Sequence, residues 1–317
     1  MLRWNHLCGP ILFIAVLAPL YSQQSVPWRD PSPHAIQFVT VDKDVRLEVL
    51  DWAGLGRPVI LLAGGGSTAH VFDDFAPKLT TDHHVYGITR RGFGASGFAA
   101  SENAINRLRD DVLAVIDALN LKRPILVGHS IAGAELSAVA NSHPDIVAGL
   151  VYLEAGYPYA FDNGEGPSMQ AFQTSTSGPR APRQKESDFA TFSALQQWDT
   201  AVYGFRRPEA ELRQTWDSDS SDRPRRERDF PGSQLFAAIL TSPTKYARIP
   251  VPALVIFALP HVPENAVIDA LTDKQAKALE RGVPTARVVR LRGSHHIFLS
   301  NESEVLREMR AFLGGLK

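Results

Sequence analysis

The sequence predicts an α/β protein, a mostly parallel sheet flanked by helices. Two patterns carry this expectation. Short runs rich in Val, Ile and Leu, apolar throughout as strands buried on both faces must be, alternate with segments whose apolar residues recur at helical spacing. The alternation runs from Ile36 to the C-terminus with one long interruption, Tyr157–Arg248.

The first two runs, Ile36–Asp42 and Val45–Trp52, are separated by Lys43-Asp44 and predict a hairpin. Six more strands are expected at Pro58–Gly64, His83–Thr89, Pro124–His129, Ala148–Glu154, Pro252–Ala258 and Ala286–Leu291. Between them, Leu108–Asn120 has helical periodicity, with Leu108, Val112, Val115, Ile116 and Leu119 on one face and Asp110 and Asp111 assigned to the opposite one. Glu302–Leu313 predicts the last helix, with Asn301 as its N-cap. The interruption begins rich in Gly, Ser and Pro and continues into helical segments around Phe189–Tyr203 and Pro208–Trp216. A charge cluster follows, Asp217–Asp229, whose arginines alternate with acids as on a solvated surface. This predicts a helical cap, residues 157–248, inserted between the sixth and seventh strands of a core made of residues 25–156 and 249–317. Its aromatic residues, among them Phe192, Phe205 and Trp216, are expected chiefly to pack the cap onto the core.

Hydrophobic residues make up 44% of the chain and charged residues 21%, an ordinary balance for a globular enzyme. The net charge of −1 gives no electrostatic case for nucleic acid or an anionic membrane as partner. Residues 1–24 stand apart. Arg3 and His6 precede an apolar run, Leu7–Leu20, and polar Ser22-Gln23-Gln24 follows. The run is shorter than the roughly 20 residues a spanning helix needs. Its proportions are those of a secretory signal, so export to the periplasm or medium is expected, with no stable membrane insertion after cleavage. An uncleaved N-terminal anchor is the alternative. The only cysteine, Cys8, lies in this segment, which excludes thiol catalysis and zinc–thiolate sites from the mature chain.

The strongest chemical signal is LVGHSIAG, Leu126–Gly133. An expected buried strand ends in Gly128-His129-Ser130-Ile131-Ala132, and Ala134–Asn141 then continues as a helix. A serine on such a sharp turn is presented above the sheet edge, and its neighbours two positions away must be small; Gly128 and Ala132 satisfy this.

On this motif, and from Ile36 to the C-terminus outside the cap, the chain resembles the α/β-hydrolase superfamily. Ala63–Leu79 is similar to the family's loop and helix after the third strand, with Ala63-Gly64 where a His-Gly pair is common. Ile88–Gly97 is similar to its D-x-R-G-x-G-x-S turn, with Thr89 replacing the acid. The family usually has glycine where this chain has Ala132, with Gly133 one place late. The resemblance implies that Ser130 is the nucleophile. It also implies an oxyanion hole built from the backbone N–H of Ile131 and of Gly65, although Gly64 or Gly66 fits the loop as well. Each such donor is worth roughly 2.7–4 kcal/mol in other enzymes.

The family places its base after the last strand. Arg292–Leu306 offers two histidines, and His295, directly after Ser294 and five positions before Ser300, fits the pattern; His296 is the alternative. The acid usually lies some nine residues beyond the proline that opens the seventh strand. From Pro252 that count reaches His261, with no aspartate nearby, and Glu264 lies three positions late. Some haloalkane dehalogenases in the superfamily carry a glutamate at the end of the sixth strand instead, where this chain has Glu154. Glu154 is therefore the expected acid, with Glu264 its rival.

The expected reaction is acyl transfer from a small or medium carboxylic ester, a small-molecule substrate, with no cofactor and no metal. C–C hydrolysis, peptidase and cofactor-free haloperoxidase-like activities use the same triad, while a haloalkane dehalogenase needs a carboxylate where Ser130 stands. A non-catalytic binding protein is the outlying alternative. His83, His84, His129 and His143 have no carboxylate or cysteine cluster around them, so no metal site is expected there, and oligomeric state is not legible. Export predicts a mature chain starting near Gln23. Intact-mass measurement on protein recovered outside the cytoplasm checks this; full-length chain in the cytosol would contradict it.

Overall fold

Eight strands form one sheet in the order β1-β2-β4-β3-β5-β6-β9-β10. They are β1 (Ala35–Asp42), β2 (Val45–Asp51), β3 (Arg57–Leu62), β4 (His83–Ile88), β5 (Ile125–His129), β6 (Gly149–Leu153), β9 (Ala253–His261) and β10 (Ala286–Gly293). The remaining pair, β7 (Trp216–Ser218) and β8 (Pro224–Glu227), makes a separate hairpin. The computed structural model describes residues 28–316 apart from 102 and 176–180. The chain divides into Met1–Pro31 and Ser32–Lys317. Of the first unit only residues 28–31 are described, without helix or strand. The apolar run Leu7–Leu20 and the expected signal segment therefore lie outside the described residues. Among the described residues, no helix is long and apolar enough to cross a membrane.

All eight strands expected from sequence are present, within a few residues of their expected ends. β1 and β2 pair antiparallel through the Lys43-Asp44 turn, where Asp44 takes a positive φ of 61°. β2 meets β4 antiparallel, and the remaining pairings of the eight-stranded sheet are parallel. Side-chain alternation is visible along the central strands. Ile60, Leu62, Leu126, Leu150, Tyr152, Val255 and Phe257 face a layer containing Val115, Leu136, Val139 and Leu279. Their neighbours Val59, Leu61, Val127, Val151, Leu153 and Ile256 face Phe72, Phe75, Phe298, Val305 and Met309 on the other side. Strands buried on both faces have no polar alternation to show, which is why they read as continuous apolar runs.

The helices are α1 (Ala104–Ala118), α2 (Ala132–Ser142), α3 (Met169–Ser175), α4 (Phe192–Tyr203), α5 (Glu209–Thr215), α6 (Ser233–Leu240), α7 (Ala266–Gly282), α8 (Ile297–Ser300) and α9 (Glu302–Leu313). The segment between β6 and β9 carries α3 to α6 and the β7–β8 hairpin. Phe192, Leu195, Leu212 and Trp216 make a small apolar core within it. The hairpin falls in the charge cluster, where the sequence shows only a solvated surface: strands of three and four residues, rich in charged side chains, leave too short a pattern to detect.

Two expectations are corrected. Asp111 is not on the solvent face of α1. It lies three residues after Leu108 and four before Val115, hence on the same face. There it is 3% exposed and pairs with the fully buried Arg91 through bonds of 2.5 and 2.6 Å. Asn301 stands at the N-cap of α9, but its side chain does not cap the backbone; it donates to Glu304 instead.

Removing one partner of a buried ion pair strands the other charge, at a typical cost of about 3–5 kcal/mol. Asp111→Ala should therefore lower the unfolding free energy by about 3 kcal/mol, measured by urea titration. A loss under about 1 kcal/mol, the range of an exposed pair, would show that Arg91 does not depend on Asp111.

Candidate active site

Strand order reverses direction at β3, which lies between β4 and β5. Such a switch point leaves a crevice at the carboxyl ends of the strands, the usual ligand site in open α/β sheets. The loop after β3 (Gly64–Thr68), the turn after β5 (Ser130) and the end of β6 (Glu154) all open onto this edge.

Ser130 sits between β5 and α2 with φ at 53°, a strained value for a residue other than glycine. Its N–H donates to the Leu153 carbonyl at 3.1 Å, and its own carbonyl accepts from Gly133 at 2.9 Å. A side chain at Gly133 would put a Cβ 2.0 Å from the Ala155 carbonyl oxygen, and one at Gly128 would meet Leu136 at 2.7 Å. Both crowded positions are thus glycine, and the shift of the second by one place reflects where β6 passes. Ser130 Oγ lies 2.9 Å from His295 Nε2, and His295 Nδ1 lies 3.2 Å from Glu154 Oε2. The three residues expected from sequence are brought together in one hydrogen-bonded chain.

Glu154 is fully buried and also has a positive φ, 50°. Its Oε1 accepts from the Ala258 N–H at 2.6 Å, and its Oε2 from the Tyr157 hydroxyl at 2.7 Å. The His261 ring stands 3.6 Å away and is backed by Asp269 at 2.7 Å. Burial alone would push the carboxyl up. Hydrogen bonds and charge attraction from His261 and His295 outweigh that and hold it down at about 2. His261 in turn is raised despite its burial, through Glu154 and then Asp269. Glu264 takes no part: it is exposed and faces Arg292 at 3.5 Å.

His296 does not reach the serine. Its ring packs 5.1 Å from Phe205 and 4.9 Å from His129. Burial, then the neighbouring His295 and Arg207, push it down to about 3, so it stays neutral. His129 is likewise held neutral by burial and donates Nε2–H to the His295 carbonyl at 2.9 Å, fixing the loop that carries the ring. The Tyr159 hydroxyl lies beside Ser130.

Ile131 is the N-cap of α2, where helix amides have no intrahelical partner. The glycine loop is held from behind. Arg90 donates to the carbonyls of Ala63 at 2.8 Å and Gly64 at 3.3 Å, and is itself paired with buried Glu135. Glu211 of α5 accepts from the Thr68 N–H at 3.2 Å and its hydroxyl at 2.5 Å. Burial pushes the Glu211 carboxyl up to about 7, against the pull of those bonds. A Cβ at Gly64 would stand 3.3 Å from that of Ser130, and one at Gly65 would strike the Phe236 ring at 2.7 Å. Phe236, exposed on α6, thus overlies the loop. Thr89, standing where the family has an acid, donates to Glu48 of β2 at 2.7 Å and accepts from Ala69 N–H at 3.0 Å. The missing carboxylate is supplied from another strand. Glu48, His261, Glu211 and Phe236 were not found from sequence: each acts across more than 40 residues or stands in a segment without a motif.

A serine–histidine–carboxylate chain at the carboxyl edge of such a sheet defines a class, the hydrolases built on an α/β core. The Alpha/beta hydrolase family matches the chain over residues 59–308, and the protein belongs to that family. Epoxide hydrolase A of Mycobacterium tuberculosis is 29% identical over 134 residues, 41% of this chain and 41% of that protein. The (E)-2-((N-methylformamido)methylene)succinate hydrolase of Acinetobacter baylyi is 27% identical over 104 residues, 33% of this chain and 40% of that one. The chain spans about two fifths of the length of these curated relatives. Among solved structures, an E-2-(acetamidomethylene)succinate hydrolase superposes with a TM-score of 0.65 at 17% identity, covering 89% of this chain and all of that one. An esterase from a Rhodococcus species gives 0.58 at 19% identity, covering 89% and 99%. At such identities these two share the fold.

The Glu154 environment sets a pH dependence. Its carboxyl is at about 2 when folded, against 4.5 ordinarily, so its stabilisation is complete above 4.5 and lost as pH falls through 2. That is on the order of 3 kcal/mol. Urea unfolding of the wild type and Glu154→Gln should show a stability difference that shrinks by this amount across that window. A difference independent of pH would mean that the folded carboxyl is not depressed.

Proposed function

We propose that the protein hydrolyses a small or medium carboxylic ester through an acyl-enzyme, with Ser130 as nucleophile, His295 as general base and Glu154 as the acid. The observation that carries this reading is the continuous chain from Ser130 Oγ through both nitrogens of His295 to Glu154, at 2.9 and 3.2 Å. With the Nδ1 proton directed to Glu154, Nε2 is left bare toward the hydroxyl. His295 takes the serine proton as the oxygen attacks a carbonyl. Glu154 then stabilises the imidazolium without being protonated, consistent with a carboxyl held well below its ordinary range. The N–H groups of Ile131 and Gly65 receive the negative oxygen. His295 returns the proton to the leaving alcohol, and water, activated by the same ring, releases the acid.

The insertion, read as the cap over this site, contributes Tyr159, Phe236 and Phe205. Their rings favour an apolar acyl or alcohol group near the serine. The names of the relatives include amide-type hydrolases and an epoxide hydrolase, so amides and epoxides belong beside esters in the substrate panel. Serine at 130, hydrogen-bonded to His295, favours acyl chemistry.

A fluorophosphonate probe should label the mature protein at Ser130, with labelling lost in Ser130→Ala. Absence of labelling in a folded protein would favour a binding function. On the best ester of the panel, His295→Ala should cost several orders of magnitude in kcat, while His296→Ala retains most of it. Glu154→Gln should cost about 10⁴-fold if it matches other triads, with Glu264→Gln near normal. The reverse order for either pair would reassign that role.

A further inference from the structure

We propose that His34, His70 and Asp73 form a binding site for a divalent transition-metal ion of the zinc class, separate from the serine site. His34 immediately precedes β1, while His70 and Asp73 belong to the short turn of helix, Ala69–Phe72, and its C-cap. Asp73 Oδ1 lies 2.9 Å from His34 Nδ1, and Oδ2 lies 3.1 Å from His70 Nδ1. The donor atoms all fall within 4.8 Å of one another. Zinc bonds of about 2.0–2.2 Å in a tetrahedral shell separate neighbouring donors by roughly 3.3 Å. The two histidine–aspartate spacings therefore stand close to that of such a shell, and the remaining donor pair lies within 4.8 Å.

Burial and charge point the same way. The side chains of His34, His70, Asp73 and the adjoining Glu48 are each 1–2% exposed. Two carboxylates in so dry a place are costly unless positive charge accompanies them. The imidazoles beside them carry charge only when protonated, whereas a divalent ion offsets both carboxylates. Glu48 Oε1 stands 3.6 Å from His70 Nε2, too far for a hydrogen bond but in the place of an outer partner. When a metal takes Nδ1 of a neutral His70, the ring proton moves to Nε2 and is directed at Glu48. A carboxylate behind a ligating histidine is the common arrangement at protein metal sites. Two imidazole donors select the zinc, cobalt and nickel group over calcium and magnesium, which prefer oxygen throughout. Three protein donors leave a fourth position for an oxygen ligand.

The place of the site gives the ion something to do. Thr68, which caps the turn carrying His70, is the residue that Glu211 holds, and it closes the glycine loop. A metal there ties the first strand to that loop and stiffens it. The inference does not rest on the esterase reading, since binding is measured without substrate.

The test uses tag-free protein stripped with a chelator. Calorimetric titration with Zn²⁺ should give about one equivalent per chain, and Co²⁺ should develop the intense visible absorption of a four-coordinate site. Zn²⁺ should also raise Tm. His34→Gln and Asp73→Asn should each lose the cobalt band, and Glu48→Gln should weaken affinity about 10–100-fold. His295→Ala should leave binding intact, which separates the site from the histidines around Ser130. Should Asp73→Asn fail to fold by circular dichroism, His34→Gln and Glu48→Gln decide. The proposal is overturned if none of Zn²⁺, Co²⁺ or Ni²⁺ binds, or if binding survives unchanged in His34→Gln.

Discussion

The buried carboxylate of Glu154 is the constraint around which the carboxyl edge of the sheet is arranged. A charge with no solvent must be matched by donors, and here they come from three directions. The Ala258 amide reaches it from β9, the Tyr157 hydroxyl from the segment after β6, and the His295 ring from the loop after β10. The Glu154 backbone is in turn pinned by its own N–H to Ile256 at 2.8 Å. Register between β6 and β9 thus fixes the height of the carboxylate, and the carboxylate fixes the ring. His261, at the end of β9 and backed by Asp269, is a further partner of the same carboxylate.

The other half of the site is held by charges that never touch the crevice. Arg90 grips two carbonyls at the start of the glycine loop and is balanced by Glu135. Glu211 grips the Thr68 amide and hydroxyl at its end. A loop of three glycines has little stiffness of its own, so its geometry is imposed from outside. One clamp follows β4 and the other lies on α5, between β6 and β9. Displacement of α5 would therefore be felt at the loop through a single carboxylate.

How far the sequence reaches follows from the range of each interaction. The strands were legible because burial on both faces writes itself as local apolar runs. Ser130 was legible because a tight turn constrains its immediate neighbours. His295 and Glu154 needed the resemblance, since nothing within a few residues of either announces a partner more than 140 positions away. Glu48, supplying the carboxylate that Thr89 lacks, and Glu211, bonding Thr68, have no local pattern at all. Asp111 was misplaced for a different reason. Its charge was allowed to outvote its position, although the helical period sets it among Leu108 and Val115 and Arg91 makes that tolerable. The gathering of His34, His70 and Asp73 was equally invisible, because it depends on how β1 lies against a turn 36 residues later.

Ser130 holds a left-handed backbone angle that glycine alone adopts without cost. The residue on which the chemistry is proposed to depend is thus a small liability to the fold, and exchange for glycine relieves it. Selection for heat tolerance alone would find that exchange early and discard the nucleophile in favour of a sturdier, inert protein. Any campaign to harden this scaffold therefore has to screen turnover alongside melting temperature, or else hold position 130 out of the library.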